Sequence, residues 1–337
     1  MSETGGHESG GREPDMSDTP EVVVCGEAMA LLVAEPGVPL EHATTFRRSI
    51  AGAESNVAAG LARLGHRSRW LGRLGDDPAG RAVLAKLRSD DIDTSYAIVD
   101  SSAYTGMLVR DSHPARAIDV QYYRAGSAAS RMAASEVRPE MLAGARLLHV
   151  TGITPMLSAS TREATERLFE LAREAGVSVS LDPNIRLKVG SPERWREVVG
   201  PLLERADLVL TGEDELELLS PGEPLTAATR RLLTAGAAAV VSKHRDKSAS
   251  CHTAEGSWRQ AAFTVPVVDP VGAGDAFAVG FLAGWLTRLP PQRALEQAAA
   301  TAALVVQCAN DTDGLPDRPG LDRALHSFTH QAEAVNR

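Results

Sequence analysis

Aromatic side chains are scarce in this chain: Phe, Trp and Tyr make up 4% of its 337 residues. Cysteine is scarcer still. Cys25, Cys251 and Cys308 lie far apart and are odd in number, which argues against a disulfide framework and suits reduced thiols. No apolar stretch is long enough and charge-free enough to cross a bilayer, so no membrane partner is expected. The N-terminus lacks the basic-then-apolar pattern of a secretory signal, and a cytoplasmic location is expected. Basic runs are missing, and the formal net charge is −9. Nucleic acid is therefore not an expected partner. No Gly-x-x-x-x-Gly-Lys-Ser/Thr run occurs, which excludes a P-loop. The chain does have apolar content, 43% of its residues, enough for a substantial core in one large domain or two.

Residues 1–20 are rich in Gly, Ser, Glu, Asp and Pro, with little to bury, and read as a disordered tail. From Glu21 onward short apolar runs alternate with helical periods, with no repeat or linker dividing them. Glu21–Cys25, Leu147–Val150, Val177–Leu181, Leu208–Leu210 and Ala239–Ser242 read as strands. In Glu54–Leu64 the apolar Val57, Leu61 and Leu64 share one face, and Gly65 stops the helix. Ser160-Thr161-Arg162-Glu163 reads as a capping box for a helix reaching Ala175, with Gly176 as its stop. Such alternation predicts an α/β fold whose mostly parallel sheet is covered on both faces. Tyr104–Arg110 and Ile118–Arg124 alternate apolar and polar residues around a hairpin turn over Asp111–Ala117.

The densest signal is Asp269-Pro-Val-Gly272-Ala273-Gly274-Asp275. Small residues open a helix that is apolar all round from Ala276 to Leu286, as in a buried helix. The first amides of such a helix lack partners and form an anion site. Asp275 has two readings. It is a capping residue, or it is a base that removes a hydroxyl proton while the amides hold phosphoryl oxygens.

This run resembles the C-terminal signature of the ribokinase-like, or PfkB, carbohydrate kinases, with Pro270 where Thr is usual. Ala51-Gly52-Ala53-Glu54-Ser55-Asn56 resembles the family's N-terminal sugar motif, with Ala51 for its first Gly. The likeness runs from about residue 21 to 319. It implies a three-layer α/β/α ribokinase-like domain over residues 21–325, with a β-sheet lid from segments 32–50 and 96–126 and a tail at 326–337. It further implies ATP and Mg²⁺ as cofactors and a homo-oligomer, a dimer or higher, with the lid as a candidate contact. Asp275 would be the base, with Gly272, Ala273 and Gly274 holding phosphoryl charge. Gly52, Ala53 and Asn56 would contact the sugar. Glu215 would hold Mg²⁺ and Lys243 the nucleotide, while Asp269 would bind a monovalent cation such as K⁺.

Two arginines narrow the substrate. Tyr122-Tyr123-Arg124 and Asp182-Pro183-Asn184-Ile185-Arg186 each deliver a guanidinium, a fork suited to a carboxylate. Each also suits a structural ion pair. Together with Gly26-Glu27-Ala28-Met29 they resemble the 2-keto-3-deoxygluconate kinases. That implies a sugar acid, held by Tyr122, Arg124, Asn184 and Arg186. Neutral-sugar kinases, or a catalytically weak sugar-binding protein on the same fold, are the alternatives. The second draws on two departures. Gly212 stands where Asn is usual, and Lys243–Ser248 lacks both glycines of the family's Lys-x-Gly-x-x-Gly turn.

Overall fold

The computed structural model describes residues 19–113 and 118–335. Most of the expected N-terminal tail, and residues 114–117 of the expected hairpin turn, lie outside them.

β1 (Val22–Cys25), β2 (Met29–Ala34) and β3 (Phe46–Ala51) precede α1 (Ala53–Arg63). Next come β4 (Ser68–Leu71), β5 (Arg73–Gly75), α2 (Pro78–Ser89), β6 (Ile98–Asp100), β7 (Met107–Arg110), β8 (Val120–Tyr123) and β9 (Leu147–Thr151). The chain then alternates through α3 (Ile153–Met156), α4 (Ala159–Ala175), β10 (Ser178–Asp182), α5 (Pro192–Leu203), β11 (Leu208–Gly212), α6 (Glu213–Leu219), α7 (Leu225–Ala235) and β12 (Ala239–Lys243). β13 (Ala249–Thr253), β14 (Gly256–Gln260), α8 (Ala273–Leu286), α9 (Pro291–Val305) and α10 (Arg318–Val335) complete it. A helix thus occupies most of the expected C-terminal tail, because its apolar residues find a surface: Leu321 is fully buried, and the Phe328 ring stacks on Phe263.

The large sheet has the order β4-β1-β9-β10-β11-β12-β13-β14. Pairing is parallel from β4 to β12 and antiparallel beyond. Strand alternation divides its side chains between two cores. Val22 and Val24 join the core containing α1, α8 and α9 residues, while Val23 and Cys25 join that of α4, α5 and α7. Both faces are therefore dry, as the continuous apolar strands required. A second sheet, β3-β2-β7-β8, is the expected lid, with β7 and β8 antiparallel.

The start of α4 corrects the sequence reading. Its cap is Ser158, whose hydroxyl accepts from the Thr161 amide while Thr161 Oγ1 accepts from the Ser158 amide. The box lies two residues earlier than expected because Thr161 serves as its third residue. Ser158→Ala is expected to cost about 1 kcal/mol, read as a lower midpoint in chemical denaturation with an unchanged slope.

α8 is buried along almost its whole length, and α1 packs against it. Gly60 makes that approach possible: a Cβ there would lie 2.4 Å from Val279 Cγ2. The two helices consequently hold their N-terminal ends, Asn56 and Asp275, side by side.

Candidate active site

The chain order reverses around β1: β4 lies on one side of it, β9 and the later strands on the other. Open α/β sheets bind ligands at the carboxyl ends of strands beside such a reversal. A cleft of about 460 Å³ opens there, roofed by β7 and β8 and floored by residues ending β10, β11 and β12. Gly52, Ala53, Asn56, Tyr122, Arg124, Asn184, Arg186, Glu215, Lys243, Gly272, Gly274 and Asp275 all line it. Sequence reading placed every one of these in the site.

Gly272 caps α8 at φ 84, in the left-handed region, and a Cβ on it would lie 2.7 Å from the Asp311 carbonyl oxygen. Only glycine combines that angle with that approach. The turn leaves the amides of Gly274 and Asp275 without helical partners, while the Ala273 amide turns back to the Pro270 carbonyl at 3.4 Å. No side chain caps the helix, which removes the capping reading of Asp275. Its carboxylate instead accepts from Asn56 Nδ2 at 2.8 Å and Asn184 Nδ2 at 3.4 Å. Burial pushes its pKa up to about 7 against the pull of Asn56 and of the Arg186 charge, with Asp182 and Asp311 adding to the rise. A carboxyl poised near neutral pH and held by two amides is equipped to take a proton. Asn184 reaches it from a left-handed backbone, φ 46, within the turn after β10.

The arginines divide. Arg124 does not extend a free fork. It is ion-paired with Glu27, which is 2% exposed and also accepts from Ser127 Oγ, and its guanidinium stacks 5.3 Å from the Tyr122 ring. The reason is local: Glu27, two residues past the end of β1, is desolvated, which raises its pKa, and Arg124 compensates the buried charge. Arg186 makes no ion pair among the described residues and donates to the Ile185 carbonyl. It lines the same cleft as Asp275, and its positive charge opposes the rise in the base's pKa.

Lys243 donates to Asp182 Oδ2 at 3.0 Å. Burial works against its charge, but Asp182, Glu215 and Asp275 outweigh this and raise its pKa. Both oxygens of Glu215 accept backbone amides, from Ile185 and Gly212, each at 2.7 Å. Desolvation and the nearby Asp182 raise its pKa. Glu215 thus braces the floor itself, and the amide of Gly212 supplies a contact that needs no side chain. The loop after β12 also differs from a glycine turn. It closes as a hairpin with Lys247 at φ 65, and Asp246 accepts from the Ser248 amide and hydroxyl. Arg245 is tied to Glu213, Asp214 and Glu217 of α6.

Asp269, the expected cation ligand, carries the guanidinium of Arg110 instead. Sequence reading did not single out Arg110, Asp311, Glu27, Asp182 or Glu54. Glu54 is fully enclosed and accepts from the Thr151 amide and hydroxyl and from Thr154 Oγ1, fixing the start of α1 to β9 and α3. Asp182, Glu27 and Glu54 lie inside the motifs that mark the site, which is the available signal. Among the described residues no helix is long and apolar enough to cross a membrane.

The chain resembles known proteins over most of its length. The profile of the pfkB family carbohydrate kinases matches residues 19–318. A 2-dehydro-3-deoxygluconokinase of Bacillus subtilis is 36% identical over 310 residues, covering 89% of this chain and 94% of its own. A 2-dehydro-3-deoxygalactonokinase of Haloferax volcanii is 32% identical, over 85% of this chain and 91% of its own. The crystal structure of a PfkB protein from Polaromonas sp. JS666 superposes with a TM-score of 0.81 at 39% identity, covering 90% and 99% of the two chains.

Proposed function

This chain belongs to the pfkB family of carbohydrate kinases, and we propose that its acceptor is a sugar acid, 2-keto-3-deoxygluconate or its C4 epimer, phosphorylated at the primary hydroxyl. The observation that carries the reading is Arg186, a guanidinium without an ion pair among the described residues, at the cleft that holds Asp275. A neutral sugar offers it nothing to pair with, whereas a carboxylate accepts its two parallel N–H donors. The names of the two curated relatives support the same substrate class. Tyr122 lies on the inner face of the lid, and Tyr123, its alternate on β8, is 54% exposed.

In this reading Asp275 removes the hydroxyl proton as the sugar oxygen bonds to the γ-phosphorus of ATP, and the bond to the bridging oxygen breaks to release ADP. Asn56 and Asn184 orient the base. The amides of Gly274 and Asp275 and the ammonium of Lys243 stabilise charge on the transferred group. Mg²⁺ would neutralise charge on the nucleotide phosphates. Asp182 and Glu215 fit its hydration shell, because each carboxylate borders the cleft and keeps lone pairs beyond its protein bonds. The exposed edge strand β8 would supply a contact between copies of the chain.

ADP release with ATP, Mg²⁺ and a panel of 2-keto-3-deoxygluconate, 2-keto-3-deoxygalactonate, gluconate, fructose and ribose tests this. Turnover confined to the keto-deoxy acids is expected. Equal turnover on fructose or ribose would reject the acid site.

A further inference from the structure

The residues around Asp269 do not fit an exchangeable monovalent cation. Arg110, the last residue of lid strand β7, is 1% exposed. Its Nη1 donates to Asp269 Oδ2 at 2.7 Å, and its Nη2 to Asp311 Oδ1 at 2.9 Å. Ser112 Oγ donates to the same Asp269 Oδ2 at 3.2 Å, which uses both lone pairs of that oxygen. Asp269 Oδ1 accepts the Val271 amide at 3.0 Å, inside the turn that leads to Gly272. Nη1 also reaches the Asp111 carbonyl at 3.2 Å. A second cation here would face a buried guanidinium at contact distance, where charges repel most strongly.

We infer that Arg110 is the resident cation of the phosphate-binding turn, a positioning residue that replaces an exchangeable ion and makes turnover indifferent to monovalent salts. Its two carboxylates come from different segments. Asp269 braces the turn before α8. Asp311 lies between α9 and α10, and its backbone packs against Gly272. The guanidinium therefore fastens both sides of the turn whose amides receive the phosphoryl group, and ties them to the sheet that roofs the sugar. An ion from solvent would neutralise the same carboxylates but would leave the lid unattached.

The experiment compares turnover in potassium chloride and choline chloride at equal ionic strength, using whichever panel sugar gives the highest rate. A wrong sugar assignment changes that sugar and leaves the salt ratio readable. The wild-type rate is expected to be equal in the two salts. Arg110→Met is expected to lose ~10²-fold in kcat, as displaced catalytic groups do, and to recover part of it in potassium or guanidinium but not in choline. A several-fold potassium activation of the wild-type protein, or near-normal kcat for Arg110→Met in choline, would overturn the inference. Should Arg110→Met fail to fold, Arg110→Lys decides the point. It keeps the charge and loses the fork, and is expected to retain partial, salt-indifferent turnover. Activation of the Lys variant by potassium would reject the charge account.

Discussion

Asp275→Asn is expected to lower kcat by ~10³-fold, within the range that general-base groups supply. The KM for the sugar should change little, because Asn56 and Asn184 can still hydrogen-bond the amide that replaces the carboxylate. A kcat within tenfold of wild type would reject Asp275 as the base. The same group sets the pH dependence. Its pKa is raised to about 7, chiefly by burial, so the working carboxylate is lost as pH falls through neutrality. In kcat/KM a limb of unit slope is expected below about pH 7 for the wild-type protein and should vanish in the Asn variant. Stability runs the other way. A carboxyl whose pKa is higher folded than unfolded binds more protons in the native state between about pH 4 and pH 7. Native stability is thus greatest below that window and declines across it as pH rises. The Asn variant should accordingly melt a few degrees above wild type at pH 8, with the gap closing by pH 4. An Asn variant melting below wild type at pH 8 would show that the carboxylate is not strained by burial.

Arg186→Met is the second large effect. A charge-assisted bidentate pair is worth ~3 kcal/mol, so kcat/KM for the sugar acid should fall ~10²-fold. Arg186 also holds down the pKa of Asp275, so the comparison belongs well above neutral pH, where the base stays ionised; there any residual turnover on a neutral sugar should change far less. Arg124→Met should behave differently. Removing it leaves Glu27 buried without its counter-charge, the costly case for an ion pair. The loss should therefore reach every sugar in the panel and the melting temperature as well. Equal selectivity changes for the two variants would remove the distinction between the carboxylate contact and the structural pair.

The parts of the site legible in the sequence are those whose chemistry is local. Small residues before an all-apolar helix required a buried helix with open amides at its start, and α8 has both. The central strands declared themselves as continuous apolar runs, since both faces of the sheet are dry. What was not legible depends on partners far along the chain. Arg110 meets Asp269 and Asp311 across 159 and 201 residues. No period or spacing marks such a pair. Arg124 was visible as a guanidinium beside the sugar, but its pairing with Glu27 needs the end of β1 to lie beneath β8, which only the fold supplies. The missing glycines after Lys243 suggested a weakened nucleotide site. The loop there closes as a hairpin through Asp246, with Lys247 at the left-handed angle, a closure that depends on side-chain bonds no glycine pattern marks.

The contact between Gly60 and Val279 works as a ruler. Asn56 lies one helical turn before Gly60 on α1, and Asp275 one turn before Val279 on α8. The interhelical spacing therefore fixes the 2.8 Å bond between Asn56 and Asp275. One extra methyl at Gly60 would push the helices apart and stretch that bond, so deep-core drift would register as a shift in the kinetic pKa.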